Sequence, residues 1–284
     1  MGYRLKGHES FILRDGWITK ALLALSEPNG SKLFQMNAGA DTLGVGTNMA
    51  KSIRYWLKTS GISKDNAGAG VTLTKLGTIL LENDPYIEDD FSLYVLHSNI
   101  ARNYELATSW NVFFNDFGLN SFSRLEMIDV MTDLLMESTG EAKLPERSIR
   151  DDVSAILSMY TSDGEEDYDP EEKKTSPFSQ LNLIGKSGNT YEIKSTPSAA
   201  IDPILILYMI ADTLNTDGSM LIDEVIYGRN MPGKILHLNR VSVNELLDKV
   251  ADKGYITVNR TAGLDMVYPT RPIDKDDILV EHYR

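Results

Sequence analysis

Cysteine is absent from all 284 residues. That excludes disulfides, thiolate nucleophiles and thiolate-bound zinc or iron–sulfur centres. Long apolar runs are missing as well. The richest stretch, residues 203–210 (PILILYMI), falls far short of the roughly 18 residues of a membrane-spanning helix. The opening MGYRLKGHESF lacks the apolar stretch of a secretory signal, and position 6 is Lys where a myristoylation signal wants Ser or Thr. These absences set the expectation of a cytoplasmic chain with no membrane partner. A Walker loop is absent too: GVGTNM at 44–49 has no Lys-Ser/Thr to hold phosphates and Mg²⁺. Nucleotide hydrolysis by this chain is not expected.

Positive charge is scarce: 28 Lys and Arg stand against 41 Asp and Glu, a net charge of −13. Such a balance argues against nucleic acid until its distribution is read. Residues 1–64 hold nine Lys or Arg and four acidic residues, so the deficit lies entirely in the remaining 220. Screening confines a surface field to about 8 Å at physiological salt, so a basic front end can meet phosphate on an acidic protein. The charge argument is local, and it points to the N-terminal segment.

What is present suits a globular protein: 42% hydrophobic and 24% charged residues, with length for one large or two ordinary domains. The pattern predicts a mainly α fold with small β-hairpins. Residues 1–150 read as an N-terminal winged helix-turn-helix and helical domain. Residues 151–174 read as an acidic linker or loop, since 151–172 hold nine acidic residues and no basic one. Residues 175–284 read as a C-terminal winged-helix-like domain.

The helix-turn-helix is expected at 38–62. DTLGVG fits a short first helix closed by Gly44 and Gly46, and Thr47 is expected to cap the second. At 100° per residue, Met49, Ile53, Trp56 and Leu57 fall on one arc, and Lys51, Arg54 and Lys58 on another, roughly opposite. A recognition helix needs that separation: one face anchors it and the other meets phosphates and base edges. The expected DNA-binding set is Lys51, Arg54 and Lys58, with Thr47 and Asn48 at the helix start and Arg14 and Lys20 as supporting phosphate ligands. The Gly-rich NAGAG, then VTLTKLG, reads as a wing strand leading to a further element. The alternative is a purely structural helix with a solvated basic face.

Elsewhere the stripes are those of core packing. Helices are expected over 15–26, 88–101 and, behind a capping box of Ser123 and Glu126, along a stripe of Leu125, Ile128, Met131 and Leu135. In the C-terminal half, helices are expected over 203–214 and 220–227, and a short strand at PGKILHL. A second capping box (Ser242, Glu245) and a hairpin of YITVNR and LDMVYP follow. Its helix mixes Glu245, Asp248 and Asp252 with Lys249 and Lys253. It therefore reads as a scaffold or protein-docking unit.

Candidates for chemistry are few. His8 and Glu9 beside Arg14 and Asp15 bring an acid, a base and a cation near the basic end; the competing reading is that they tie the N-terminal segment down. Asp84 and Glu88, with Asp89 and Asp90, could offer oxygens to a divalent cation, or could simply serve a turn and a helix start. Glu192-Ile193-Lys194 superficially fits the end of a nuclease metal site. No metal is assigned; Mg²⁺ or Mn²⁺ would be the cofactor of a nickase.

Several segments together resemble a known family: 7–11 (GHESF), 13–17 (LRDGW), 43–56 (LGVGTNMAKSIRYW), 73–77 (LTKLG), 84–88 (DPYIE) and 107–117 (ATSWNVFFNDF). The likeness continues weakly through 176–184 (SPFSQLNLI) and 232–236 (PGKIL). They are similar to the bacterial family of unknown function of the DUF4007 type, typified by SspB, the DNA-nicking component of DNA phosphorothioation defence systems. The resemblance implies a DNA-binding component of a phosphorothioation-linked modification or anti-phage system, with single-strand nicking as its activity. Its partners would be double-stranded DNA and an ATP-dependent sulfur-transfer protein of the same gene cluster; a second copy, in a homodimer, is a further candidate partner that the resemblance does not itself assign. It assigns no catalytic residue. The alternative is a non-enzymatic adaptor or transcriptional regulator docking the sulfur-transfer machinery.

Overall fold

The computed structural model describes residues 2–161, 175–261 and 263–284. They form a mainly helical fold with three small antiparallel sheets. The chain divides into two compact units, Met1–Ile193 and Lys194–Arg284. The expected boundary at 151–174 is displaced. Residues 151–160 are the last ten residues of a 15-residue helix whose Asp152, Val153 and Ile156 are buried, while 162–174 lie outside the described residues. Residues 175–193, expected to open the C-terminal domain, belong instead to the first unit. Among the described residues no helix is long and apolar enough to cross a membrane.

In the first unit, α1 (Trp17–Ser26) leads through two short 3₁₀ turns to α2 (Ala40–Leu43) and α3 (Thr47–Thr59). Gly44 takes φ 65°, the left-handed conformation that turns the chain between α2 and α3. Thr47 is not the cap: Gly46 is extended at that position and Thr47 is the first helical residue. The segment expected as a wing folds as the hairpin β1 (Ser63–Asn66) and β2 (Gly70–Leu73), in register from Ser63 opposite Leu73 to Asn66 opposite Gly70. Then α4 (Lys75–Asn83) starts at Thr74, whose hydroxyl accepts from the Gly77 N–H at 3.1 Å.

Three helices follow, α5 (Asp90–Arg102), α6 (Thr108–Asp116) and α7 (Arg124–Thr139), and then α8 (Glu146–Tyr160). The capping box of Ser123 and Glu126 forms as expected at the start of α7. Met127, Ile128, Met131 and Leu135 are buried there, but Leu125, placed in the stripe by its spacing, is 67% exposed. The first-turn position of α7 lies beyond the packed face. β3 (Ser121–Ser123) is the outer partner of β5 (Thr190–Ile193), which pairs with β4 (Ile184–Ser187).

The second unit runs α9 (Pro203–Asp217), β6 (Met220–Leu221), α10 (Ile222–Tyr227), α11 (Pro232–Ile235), α12 (Arg240–Asp252), β7 (Ile256–Thr261), β8 (Leu264–Pro269) and α13 (Lys275–His282). Its sheet order is β6-β8-β7. The strand expected at PGKILHL is a helical turn opened by Pro232, and the unit's extra strand is Met220–Leu221, expected as helix. The cap of α12 is Asn239, whose side chain accepts from the Ser242 N–H at 2.9 Å, so the helix begins before the expected Ser242–Glu245 box.

Candidate nucleic-acid interface

The two arcs of α3 separate as expected. Ala50, Trp56 and Leu57 are wholly buried and Ile53 nearly so, whereas Lys51 and Arg54 are exposed. Met49 is only half-buried. One carbonyl anchors the inner face: Phe11 O accepts from Trp56 Nε1 and from Ser52 Oγ, each at 3.1 Å. At the helix start, Thr47 Oγ1 donates to Asn37 Oδ1 at 3.0 Å, and Asn48 Oδ1 accepts from Lys51 Nζ at 3.4 Å.

The outer face is not free of negative charge. Asp65, on β1, takes Arg54 Nη2 at 2.7 Å on one oxygen and Lys58 Nζ at 3.0 Å on the other. The Arg54 hydrogen bond above all, then Lys58, holds the Asp65 carboxyl below the usual carboxylate range. Two of the three expected cations therefore share one counter-ion from the hairpin. Lys51 has no carboxylate partner among the described residues.

A second group of residues reaches this face from the chain's beginning. The Lys6 N–H donates to both oxygens of Asp152, at 3.0 and 3.2 Å, and His8 Nε2 donates to Asp152 Oδ1 at 2.8 Å. Ser109 Oγ completes the buried carboxylate's partners at 2.6 Å. His8 stacks on Trp56 and meets Trp110 edge-on. Lys6 Nζ pairs with Asp151 at 2.5 Å. This clasp brings Arg4 across Gly7 to lie over the Tyr55 ring, 5.3 Å from its centroid. A Cβ on Gly7 would fall 2.3 Å from the Tyr55 ring and 2.8 Å from Arg4 Nε, so the approach requires glycine there. Burial, and secondarily the Asp152 charge, push the Tyr55 phenol up, and its hydroxyl donates to Leu106 O at 2.9 Å.

Between these parts lies a cavity of about 290 Å³. Arg4, Lys51, Arg54 and Lys58 line it, facing the carboxylates of Glu9 and Asp65. Of the expected DNA ligands, the structure gathers Lys51, Arg54 and Lys58 here. Thr47 and Asn48 are exposed at the start of the same helix. Arg14 and Lys20 do not line the cavity. Arg14 is half-buried, with its guanidinium over the Phe11 and Trp17 rings at 5.8 and 5.5 Å.

The chemical candidates separate. His8 is fully buried and its partner is Asp152 rather than Glu9, Arg14 or Asp15. Glu9 is exposed and belongs to the cavity. Asp84 is buried and its oxygens accept from the Glu88 N–H (3.0 Å), the Asp89 N–H (3.2 Å) and Ser92 Oγ (2.6 Å). It holds the turn ahead of α5, while Glu88 is exposed. Among the described residues no group of three or more His, Asp or Glu is placed to hold a metal ion. Glu192 lies in β5 with no such group around it. Arg4 and Asp65 are the residues sequence reasoning missed. Arg4 was visible only as one cation of a basic stretch, and Asp65 as part of a loop approach.

The sequence matches, over residues 5–283, the family described as protein of unknown function (DUF4007). The chain belongs to that family. Two solved structures are similar to it, an SspB crystal structure and a magnesium ion-bound SspB crystal structure. Each has TM-score 0.85 and 24% sequence identity, with 98% of this chain and 87% of the other covered. At that identity the likeness is one of fold. No curated protein matches the chain.

Proposed function

We propose that this DUF4007 protein is a DNA-binding component of a DNA phosphorothioation-linked system, gripping duplex DNA through the outer face of α3. The carrying observation is the convergence of Lys51, Arg54 and Lys58 on one helix face above a cationic cavity, beside the β1–β2 hairpin. The order α2, α3, β1, β2 reads as a winged helix-turn-helix, in which the second helix enters the groove and the hairpin tracks the backbone. The order α9, β6, α10, α11, α12, β7, β8 reads as a second winged-helix-like unit. The fold shared with SspB and the family resemblance support the phosphorothioation setting.

The proposal is one of binding. A nickase needs metal-bound carboxylates or a nucleophile with access to the strand. Asp84 is occupied as a turn-holding acceptor and His8 is enclosed by aromatic rings, so these candidates do not fit a Mg²⁺ or Mn²⁺ site. The test is duplex binding by the Lys51→Ala, Arg54→Ala, Lys58→Ala triple variant over a range of salt. The salt slope should flatten by about 0.9 for each phosphate that the variant no longer neutralises. Unchanged affinity and slope would defeat the reading. The acidic majority of the sequence supports a second reading, an adaptor that docks the sulfur-transfer protein, and that reading is favoured if the triple variant binds DNA as the wild type does.

A further inference from the structure

The cavity on α3 has features that a generic basic face does not need. Its cations come from two separate parts of the chain, the helix and the N-terminal segment. Four cations face two carboxylates, a surplus of two positive charges within one concavity. Arg54 and Lys58 are already ordered by Asp65, while Arg4 and Lys51 have no carboxylate within ion-pair distance among the described residues. Arg4 is fixed at its base by its N–H bond to Thr108 Oγ1 at 2.8 Å and along its length by the Tyr55 ring. Two guanidinium forks, two ammonium groups and an aromatic wall form a donor set matched to phosphate oxygens. A backbone phosphate carries one negative charge and a terminal one nearly two, which the surplus covers. At about 290 Å³ the space is too large for a lone ion and sits at the lower edge of small-ligand pockets, roughly 300 Å³ and above.

From this we infer that the cavity is a phosphate-binding site in which Arg4 supplies a donor from outside the helix and Glu9 and Asp65 limit the charge it accepts. It deepens the DNA-binding reading and rests on it for the source of the phosphate. The buried clasp of Asp152 on Lys6 and His8 then has a purpose, to hold Arg4 and Glu9 at the rim.

The full chain is tested as Arg4→Ala, Arg4→Lys, Glu9→Gln and Lys51→Ala, each checked by circular dichroism and thermal melting. Duplex binding is measured against salt, and melting is repeated with inorganic phosphate or deoxyadenosine monophosphate against chloride of equal ionic strength. Arg4→Ala should weaken duplex binding about tenfold and flatten the salt slope by about 0.9. Arg4→Lys should keep the slope, since the charge remains. Glu9→Gln should bind more tightly than wild type. Inorganic phosphate should stabilise the wild type more than Arg4→Ala. If Arg4→Ala and Glu9→Gln bind duplex like wild type while Lys51→Ala is weakened, the cavity inference fails and the helix face stands. If Lys51→Ala is unchanged too, the DNA reading fails. The phosphate site then survives only where phosphate or the mononucleotide stabilises wild type and not Arg4→Ala, and falls otherwise.

Discussion

α3 with its hairpin and α12 with its hairpin are the same device with the charges exchanged. In the first unit the helix supplies the cations and the hairpin the carboxylate: Arg54 and Lys58 meet Asp65 at 2.7 and 3.0 Å. In the second the helix supplies the carboxylate and the hairpin the cation: Arg260 meets Asp248 at 2.7 Å and Asn244 Oδ1 at 3.0 Å. Each pair pins a helix to the strand that follows it, so pinning alone does not call for cations on the helix. α3 carries no acidic residue at all, whereas α12 spreads Glu245, Asp248 and Asp252 along its length. The difference lies in what is left over once the pin is made. On α3 that is Lys51 with Arg4 beside it; on α12 it is a balanced mixture, Glu245 and Asp252 against Arg240 and Lys249.

If the two helices differ only on their outer faces, their inner faces should respond alike. Trp56 and Leu246 are both wholly buried. Trp56→Ala should cost about 3–5 kcal/mol and Leu246→Ala about 2–5 kcal/mol, measured by urea unfolding. A Trp56→Ala loss below about 1 kcal/mol would show that α3 is not anchored as described. Then its outer face could not be held in register for a ligand.

The outer faces should part company in DNA binding. The triple alanine variant of Lys51, Arg54 and Lys58 should lose about a hundredfold or more in duplex affinity at moderate salt, given two to three phosphates held by these side chains. The matched change on the second unit, Arg240, Lys249 and Arg260 to Ala, should leave affinity within about twofold. Equal losses from the two triples would erase the comparison and make DNA binding a diffuse property of surface cations.

Legibility divides along the same line. The faces of α3 could be read from periodicity, because anchoring needs apolar residues at fixed angles, and Trp56, Leu57 and Ile53 obey that rule. The hairpin of β7 and β8, the capping box at Ser123 and the basic surplus of residues 1–64 were legible for similar local reasons. What crossed the face was not. Asp65 lies eleven residues beyond Arg54, and only the register of β1 with β2 swings it back over the helix. Arg4 reaches the same place because Asp152, far along the chain, holds Lys6 and His8. The acid run at 151–172 misled for the opposite reason: composition marked it as solvated, yet Asp152 is a buried acceptor of four hydrogen bonds inside α8. Helix breaks at Pro232 and Gly228 were likewise decided by close packing, where a Cβ on Gly233 or Gly228 would strike backbone carbonyls.

A smaller effect sharpens the exchange of charge. Asp65→Asn removes a negative charge from beside the cavity and should tighten duplex binding severalfold at low salt. Asp248→Asn, on the unit assigned no role in DNA binding, should change nothing. Fluorescence anisotropy with a labelled duplex resolves both. A weaker Asp65→Asn would overturn the repulsion argument, because it would mean that ordering Arg54 and Lys58 outweighs the carboxylate's opposition to phosphate.

The smallest expected effect is on stability, and its direction follows from the lowered Asp65 pKa. The unfolded carboxyl titrates near the ordinary value of 3.8, and the folded one below it because Arg54 and then Lys58 favour the charged form. The stability that Asp65 adds is therefore present in full above the ordinary value. It is lost as pH falls through the lowered folded value, where protonation accompanies breaking of the pair. The three side chains are about two-fifths exposed, so the contribution is that of a surface pair, under about 1 kcal/mol. Melting of wild type and Asp65→Asn between about pH 7 and about pH 2.5 should show a small constant gap at neutral pH that closes only in acid below the ordinary carboxylate range. A gap that grows instead on acidification would mean that the hairpin carboxylate does not pin α3 through its charge. The pin on the second unit, with a single cation on Asp248, would then be the better guide to how these hairpins are held.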